Sequence, residues 1–109
     1  MQCPPDATYQ DQLVWALRHP LPDRRLMAVT ALGTTGDDRV ASRLRELVYD
    51  RDPYLAAAAL RSFATIVGLR SRGLLIEAAA TGPAAVRYAA RELLGKQGDA
   101  LDRDDPRSA

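Results

Sequence analysis

The amino-acid sequence predicts an all-α protein, a short right-handed α-solenoid in which three helix-turn-helix repeats stack into a superhelix. Three observations predict this fold class. Apolar residues recur at a spacing of 31 residues, as Leu13, Leu44 and Leu75 do. Within each repeat the apolar residues follow the i, i+3, i+4 spacing of a helix and do not alternate as they would in a strand. Alanine, the strongest helix former, is the most frequent residue, whereas aromatic residues make up only 6%.

The 31-residue period extends over many columns, where a column is the set of residues that share one position in successive repeats. Further columns are Ala16, Leu47 and Ala78; Ala28, Ala59 and Ala90; and Leu32, Phe63 and Leu94. A single helical hairpin cannot bury both of its apolar stripes. Neighbouring repeats must therefore stack to form a continuous core, and three repeats are close to the minimum for stability.

The first three helices are expected at about 9–19, 23–33 and 38–49. The first precedes Pro20, and Pro22 suits the first turn of the second. Gly36 and Asp37 separate the second helix from the third, and Asp37 is a good N-cap.

The last three helices are expected at about 53–66, 71–80 and 84–95. Asp52 followed by Pro53 is an N-cap with proline at the first helical position. Gly68 breaks the chain before the fifth helix. Gly95 and Gly98 are expected to end the sixth helix, because glycine commonly follows the last turn of a helix.

These helices divide the chain into three repeats at about 8–37, 38–68 and 69–98. Residues 1–7 are expected to be a flexible N-terminus. Residues 99–109 are polar, acidic and free of aromatic side chains, and we expect a disordered tail there.

The second helix of each repeat carries a shared pattern. It reads Pro22-Asp23-Arg24-Arg25 through Ala31-Leu32-Gly33 in the first repeat, Asp52-Pro53 through Phe63 in the second, and Ala85 through Leu94-Gly95 in the third. This pattern resembles the HEAT-like repeats of the phycobilin-lyase type over about residues 8–98. The resemblance implies an α-solenoid whose motif arginine bonds to turn carboxylates and backbone. That arginine is present as Arg25 and Arg87, and Ala56 replaces it in the middle repeat.

Composition argues against several kinds of chemistry. With one His and one Cys, the sequence lacks most zinc ligand sets and any Ser-His-Asp arrangement. The single histidine, His19, is expected to cap a helix or face solvent. No phosphate-binding loop is present. We therefore predict no catalytic residues, no metal and no cofactor. No apolar run reaches the length of a membrane span and no signal peptide is recognisable, so we expect a cytoplasmic protein.

We expect a non-catalytic interaction module that binds another protein through the concave surface lined by the second helices. The candidate contact residues are Tyr54, Tyr88, Leu26 and Arg61, because tyrosine and arginine are enriched at binding hot spots. The alternative for Tyr54 and Tyr88 is that they only cover the seams between repeats. Trp15 shares its column with Glu46 and Glu77, which predicts an outward position as an end cap or as a contact with another chain.

Three further hypotheses concern partners. The resemblance implies an accessory subunit of a bilin-lyase-like system. Weak nucleic-acid binding would need surface arginines, the candidates being Arg25, Arg39, Arg43, Arg45, Arg61 and Arg87, but a net charge of +1 does not favour it. A second copy of the chain is the third candidate partner. It would bind through a terminal repeat, more readily at the alanine-rich last helix than at the first. The first helix carries a plausible polar cap made of Tyr9, Gln10, Asp11, Gln12 and Arg18.

Overall fold

The computed structural model describes residues 7–104, and in that range the chain is helical with no strand. The described elements are six α-helices and a short 3-10 helix: α1 Tyr9–Ala16, α2 Pro22–Thr35, α3 Asp38–Leu47, α4 Pro53–Val67, the 3-10 helix Gly68–Ser71, α5 Arg72–Thr81 and α6 Ala84–Asp104. The predicted all-α fold class is confirmed. Residues 1–6 and 105–109, which include most of the predicted flexible N-terminus and the end of the predicted tail, lie outside the described residues.

Short polar side chains start three of the helices. The hydroxyl of Thr8 accepts from the backbone N–H of Asp11, whose carboxylate accepts from the backbone N–H of Thr8, forming a capping box at α1. At α3 the Asp37 carboxylate accepts from the backbone N–H of Arg39. At α4 Asp52 accepts from the backbone N–H groups of Tyr54 and Leu55. Asp37 and Asp52 are therefore the N-caps that the sequence predicts.

The second helices form a layer with α4 at its centre. Helix α2 packs against α4, and α4 packs against α6. Each first helix packs against the second helix of its own repeat, as α1 does on α2, α3 on α4 and α5 on α6. Since α4 has a second helix on either side, eight of its 15 residues are buried. The arrangement is elongated, measuring 53 × 29 × 18 Å.

The core runs through the array as the columns predict. The largest fully buried apolar side chains are Leu32, Leu44, Leu60, Leu75, Val29 and Val86. Burying a side chain of this size contributes about 1.5–3 kcal/mol to stability.

One contact fixes the register between neighbouring repeats. The hydroxyl of Ser62 on α4 donates to the backbone carbonyl of Val29 on α2 at 2.7 Å, and both groups are buried. Beside it, a Cβ added to Gly33 would lie 2.6 Å from the Ser62 Oγ, so only glycine allows α2 and α4 to approach this closely. The side of α4 that carries Ser62 is thus the side that α2 covers.

The prediction that the first helix extends to residue 19 is wrong. Helix α1 ends at Ala16, and the backbone N–H groups of Arg18 and His19 bond three residues back, to Trp15 and Ala16. A proline at position 20 disfavours the α conformation at residue 19, so the helix tightens into a turn before it.

The prediction that Gly95 and Gly98 end the last helix is also wrong. Helix α6 continues to Asp104. Glycine inside a helix costs about 1 kcal/mol relative to alanine, which does not by itself end a helix. The Gln97 side-chain amide donates to the Ser71 hydroxyl at 2.9 Å, which anchors α6 beyond Gly95. The next proline in the sequence is Pro106.

Candidate protein-binding surface

The exposed side of α4 carries two of the predicted contact residues. Tyr54 stands at the start of the helix with 74% of its surface exposed, and Arg61 lies two turns further on the same ridge. Because α2 and α6 pack against the flanks of α4, this ridge is the part of α4 that remains open to a partner. We call the exposed ridges of α2, α4 and α6 the second-helix surface.

Arg61 is tied to the neighbouring helix. Its guanidinium lies 3.7 Å from the Glu92 carboxylate on α6, and the Lys96 ammonium approaches the same oxygen at 3.9 Å. These side chains are partly exposed, so each pair contributes about 0–1 kcal/mol to stability. Arg61 is thus part of an ion pair that remains partly exposed on the ridge, two turns from Tyr54.

The other two predicted contact residues, Leu26 on α2 and Tyr88 on α6, do not occupy the position that corresponds to the exposed ridge of α4. They share a column with Ala57, which is only 4% exposed because α4 has a neighbour on that side. Tyr88 is 68% exposed because α6 has no second helix after it among the described residues. Tyr88 therefore marks the C-terminal edge of the array. The four predicted residues are all accessible but do not form a single face.

Trp15 is half-buried, whereas Glu46 and Glu77 of the same column are exposed. Trp15 borders a surface depression together with Val14, Arg18 and, from the next repeat, Arg43. Trp15 thus lies between the first two repeats, on the side of the molecule formed by the first helix of each repeat. That position fits an end cap and is remote from the exposed ridge of α4.

A wide concavity lies at the N-terminal edge of the array, where the sequence suggests a polar cap. Helices α1 and α2 enclose a groove of about 490 Å³, which we call the N-terminal groove. Its lining residues are Tyr9, Leu13, Ala16, His19, Leu21, Arg24, Met27, Ala28 and Ala31. The polar Gln10, Asp11 and Gln12 lie outside this lining. The sequence feature from which this groove could have been predicted is the column of Tyr9. Its other members, Val40 and Ser71, are both buried, so Tyr9 occupies a core position at the edge of the array.

A second groove, of about 210 Å³, lies between α3, α5 and the start of α6. Val48, Leu74 and Val86 form its apolar floor, and the carboxylates of Asp50 and Glu77 stand at its rim. No arginine or lysine lines it. Its chemistry suits an apolar side chain next to a cation.

Several of the arginines proposed for nucleic-acid contact are engaged within the chain and do not form a phosphate-binding strip. Arg25 donates to the backbone carbonyls of His19 at 2.8 Å and Pro20 at 3.3 Å, so it holds the turn between α1 and α2. This agrees with the backbone role implied by the resemblance. The His19 ring in turn accepts from the backbone N–H of Leu21 through Nδ1. In the middle repeat Ala56 is fully buried and leaves no room for an arginine.

Arg39 is also engaged. Its guanidinium donates to both carboxylate oxygens of Asp37 at 2.8–3.2 Å. These bonds lower the pKa of the Asp37 carboxyl from its ordinary 3.8, and they raise the pKa of Arg39. With Arg61 paired to Glu92, three of the six arginines proposed for nucleic-acid contact are committed within the chain.

Among the described residues there is no group of three His, Cys, Asp or Glu side chains placed to hold a metal ion. In the same part of the chain, no helix is both long and apolar enough to cross a membrane.

Comparison with known proteins gives a family. A family model of HEAT repeats matches residues 10–95, which takes in all three helix pairs. No curated protein and no solved structure shows a significant match. Since the family model covers more than three-quarters of the 109 residues, the chain belongs to the HEAT-repeat family.

Proposed function

We propose that this protein is a non-catalytic, cytoplasmic interaction module that binds another protein through its second-helix surface. The observation that carries the proposal is the exposed ridge of α4, which presents Tyr54 at its start and the Arg61–Glu92 pair two turns further on. Tyrosine and arginine are enriched at binding hot spots. HEAT repeats commonly mediate protein–protein interaction, which is consistent with this role.

Affinity capture from the native cell, with bound proteins identified by mass spectrometry, tests the proposal. We expect a partner that the wild-type chain retains and that Tyr54→Ala loses. Tyr88→Ala, tested separately and together with Tyr54→Ala, shows whether the partner also reaches the C-terminal edge. Tyr49→Ala is the matched control, because Tyr49 is a similarly exposed tyrosine in the turn after α3.

Circular dichroism of each variant shows whether the helical fold is retained. Equal capture by all variants would remove the second-helix surface from the proposal. Capture that only Tyr49→Ala abolishes would move the binding site to the side of the first helices.

The resemblance to phycobilin-lyase-type repeats supports one alternative, an accessory subunit of a bilin-lyase-like system. Its test is a titration with a linear tetrapyrrole, which should change the visible absorbance of the pigment when it binds. A spectrum equal to the sum of the separate components at high protein concentration would eliminate it.

A further inference from the structure

The N-terminal edge exposes positions that are core elsewhere in the array. Tyr9 is 60% exposed, whereas Val40, one repeat later in the same column, is 3% exposed. Leu13 is half-buried, whereas Leu44 and Leu75 are fully buried. The first helix pair therefore presents an apolar surface that the later pairs cover with a neighbour.

The register between repeats shows what kind of element covers this surface. Ser62 lies on the side of α4 that α2 covers, since its hydroxyl reaches the Val29 carbonyl. The counterpart of Ser62 on α2 is Ala31, which lines the N-terminal groove with Met27 and Arg24 one and two turns earlier. The side of α2 that lines the N-terminal groove therefore corresponds to the side of α4 on which α2 packs.

The opposite edge of the array does not fit this site. There, Tyr88, Arg91 and Gly95 occupy the columns that hold Leu26, Val29 and Gly33 on α2. Stacking a second copy end to end would bury the Arg91 guanidinium where Val29 and Leu60 are fully buried. Burying an arginine without a partner costs several kcal/mol. The occupant is therefore unlike the C-terminal edge of this chain.

The charge of the residues that line the N-terminal groove indicates which kind of helix fits it. The lining of the N-terminal groove includes one cationic side chain, Arg24, and no carboxylate. We propose that the N-terminal groove binds an acidic amphipathic α-helix of a partner protein, which packs on α2 as α2 packs on α4. Its small and aliphatic residues cover Met27 and Ala31, and its carboxylates face Arg24. This inference rests on the proposed protein-binding function but uses a different surface.

A synthetic helix tests the inference directly. The probe is a lactam-bridged peptide of about five turns, long enough to stay helical. It carries Leu, Val and Gly at the spacing of Leu26, Val29 and Gly33, with Glu at the flanking positions. The chain has two methionines, Met1 and Met27, so ¹³C-methyl NMR gives a direct reporter inside the groove. We expect a saturable shift of the Met27 methyl signal on titration.

Two matched variants measure specificity by fluorescence anisotropy of the labelled peptide. Met27→Glu introduces a charge into the groove and should weaken binding at least about tenfold, which corresponds to the loss of one good apolar contact. Ile76→Glu makes a similar change at an exposed apolar residue of α5 and should change the dissociation constant less than about twofold. A peptide with Lys in place of Glu should bind more weakly, by an amount that decreases with added salt.

Three outcomes would overturn the inference. These are no saturable shift of the Met27 methyl signal, equal binding by the Met27→Glu and Ile76→Glu variants, and dimerisation of the chain alone that Met27→Glu abolishes. The last result would assign the groove to a second copy. Tyr54→Ala leaves the N-terminal groove intact. Peptide binding by that variant therefore tests the groove independently of the proposed binding of a partner to the second-helix surface.

Discussion

At the scale of single residues, Gly33 and Ser62 determine how closely two repeats approach. An added Cβ at Gly33 would lie 2.6 Å from the Ser62 Oγ and 3.1 Å from its backbone Cα, so a rotation of the Ser62 side chain alone cannot relieve the contact. The Ser62 hydroxyl is also held by the Val29 carbonyl. Helix packing therefore outweighs helix propensity at position 33.

Gly33→Ala should destabilise the protein by about 1–3 kcal/mol, even though alanine is the better helix former. The control is Gly95→Ala, a substitution in the same column two repeats later, where a Cβ meets nothing within 4 Å. That variant should gain about 0.5–1 kcal/mol. Urea unfolding followed by circular dichroism gives both values. A stabilising Gly33→Ala would mean that α2 and α4 are not in close contact at this point.

The Asp37–Arg39 pair gives a prediction for acid conditions. The pKa of Asp37 is lower in the folded chain than its ordinary 3.8. Its contribution to stability is therefore fully present above that value and is lost as the pH falls through the folded pKa. Asp37→Asn keeps an N-capping side chain but removes the charge. The variant should be less stable than wild type at neutral pH, and the difference should shrink below about pH 4.

Urea midpoints measured at several pH values check this expectation. Asp38→Asn is a useful control, because Asp38 accepts from Arg70 at 3.0 Å but does not cap the helix. A stability difference that stays constant down to low pH would show that the Asp37 charge has no role.

At the scale of elements, α4 is the central support of the molecule. It packs on α2, α3, α6 and the following 3-10 helix, and Leu60 in its middle is fully buried. Leu60→Ala should cost about 2–5 kcal/mol in chemical denaturation. This is a large part of the roughly 5–15 kcal/mol that typical domains possess. Leu69→Ala, at an exposed leucine, should have a much smaller effect. Equal losses in the two variants would contradict the central position of α4.

Helix starts were easier to predict than helix ends. Asp37 and Asp52 act locally, through bonds to backbone groups two or three residues away, so the sequence alone identifies them as caps. The end of α6 depends on a contact between Gln97 and Ser71, which are 26 residues apart. No local pattern encodes such a contact. The glycines at 95 and 98 therefore predict an end of α6 that the structure does not have.

At the scale of the whole molecule, the ends of the array differ from its middle. The repeat period places Leu26, Ala57 and Tyr88 at one position. Within residues 7–104, α4 packs against a second helix on either side, whereas α2 and α6 each pack against a second helix on one side. The same column is thus buried in the centre and exposed at the edges. The columns single out Tyr54 and Tyr88, which are both exposed, but they do not show that Tyr88 lies at an edge or that the N-terminal groove exists.

This difference predicts a gradient of stability along the array. Helix α1 has eight residues, none of them buried, and its main packing partner is α2. Stability in repeat proteins is approximately a sum of repeat and nearest-neighbour terms, so a terminal helix with no buried residue should open locally. Amide hydrogens of α1 should therefore exchange with solvent faster than those of α4.

Hydrogen exchange with mass spectrometry at low urea concentrations tests the gradient. Exchange in α1 should be nearly independent of urea, because local opening exposes little surface, whereas exchange in α4 should accelerate as global unfolding becomes easier. Equal protection and equal urea dependence in the two helices would show that the array opens as a single unit. The lactam-bridged acidic helix should slow exchange in α1 and α2 first, because these two helices line the N-terminal groove.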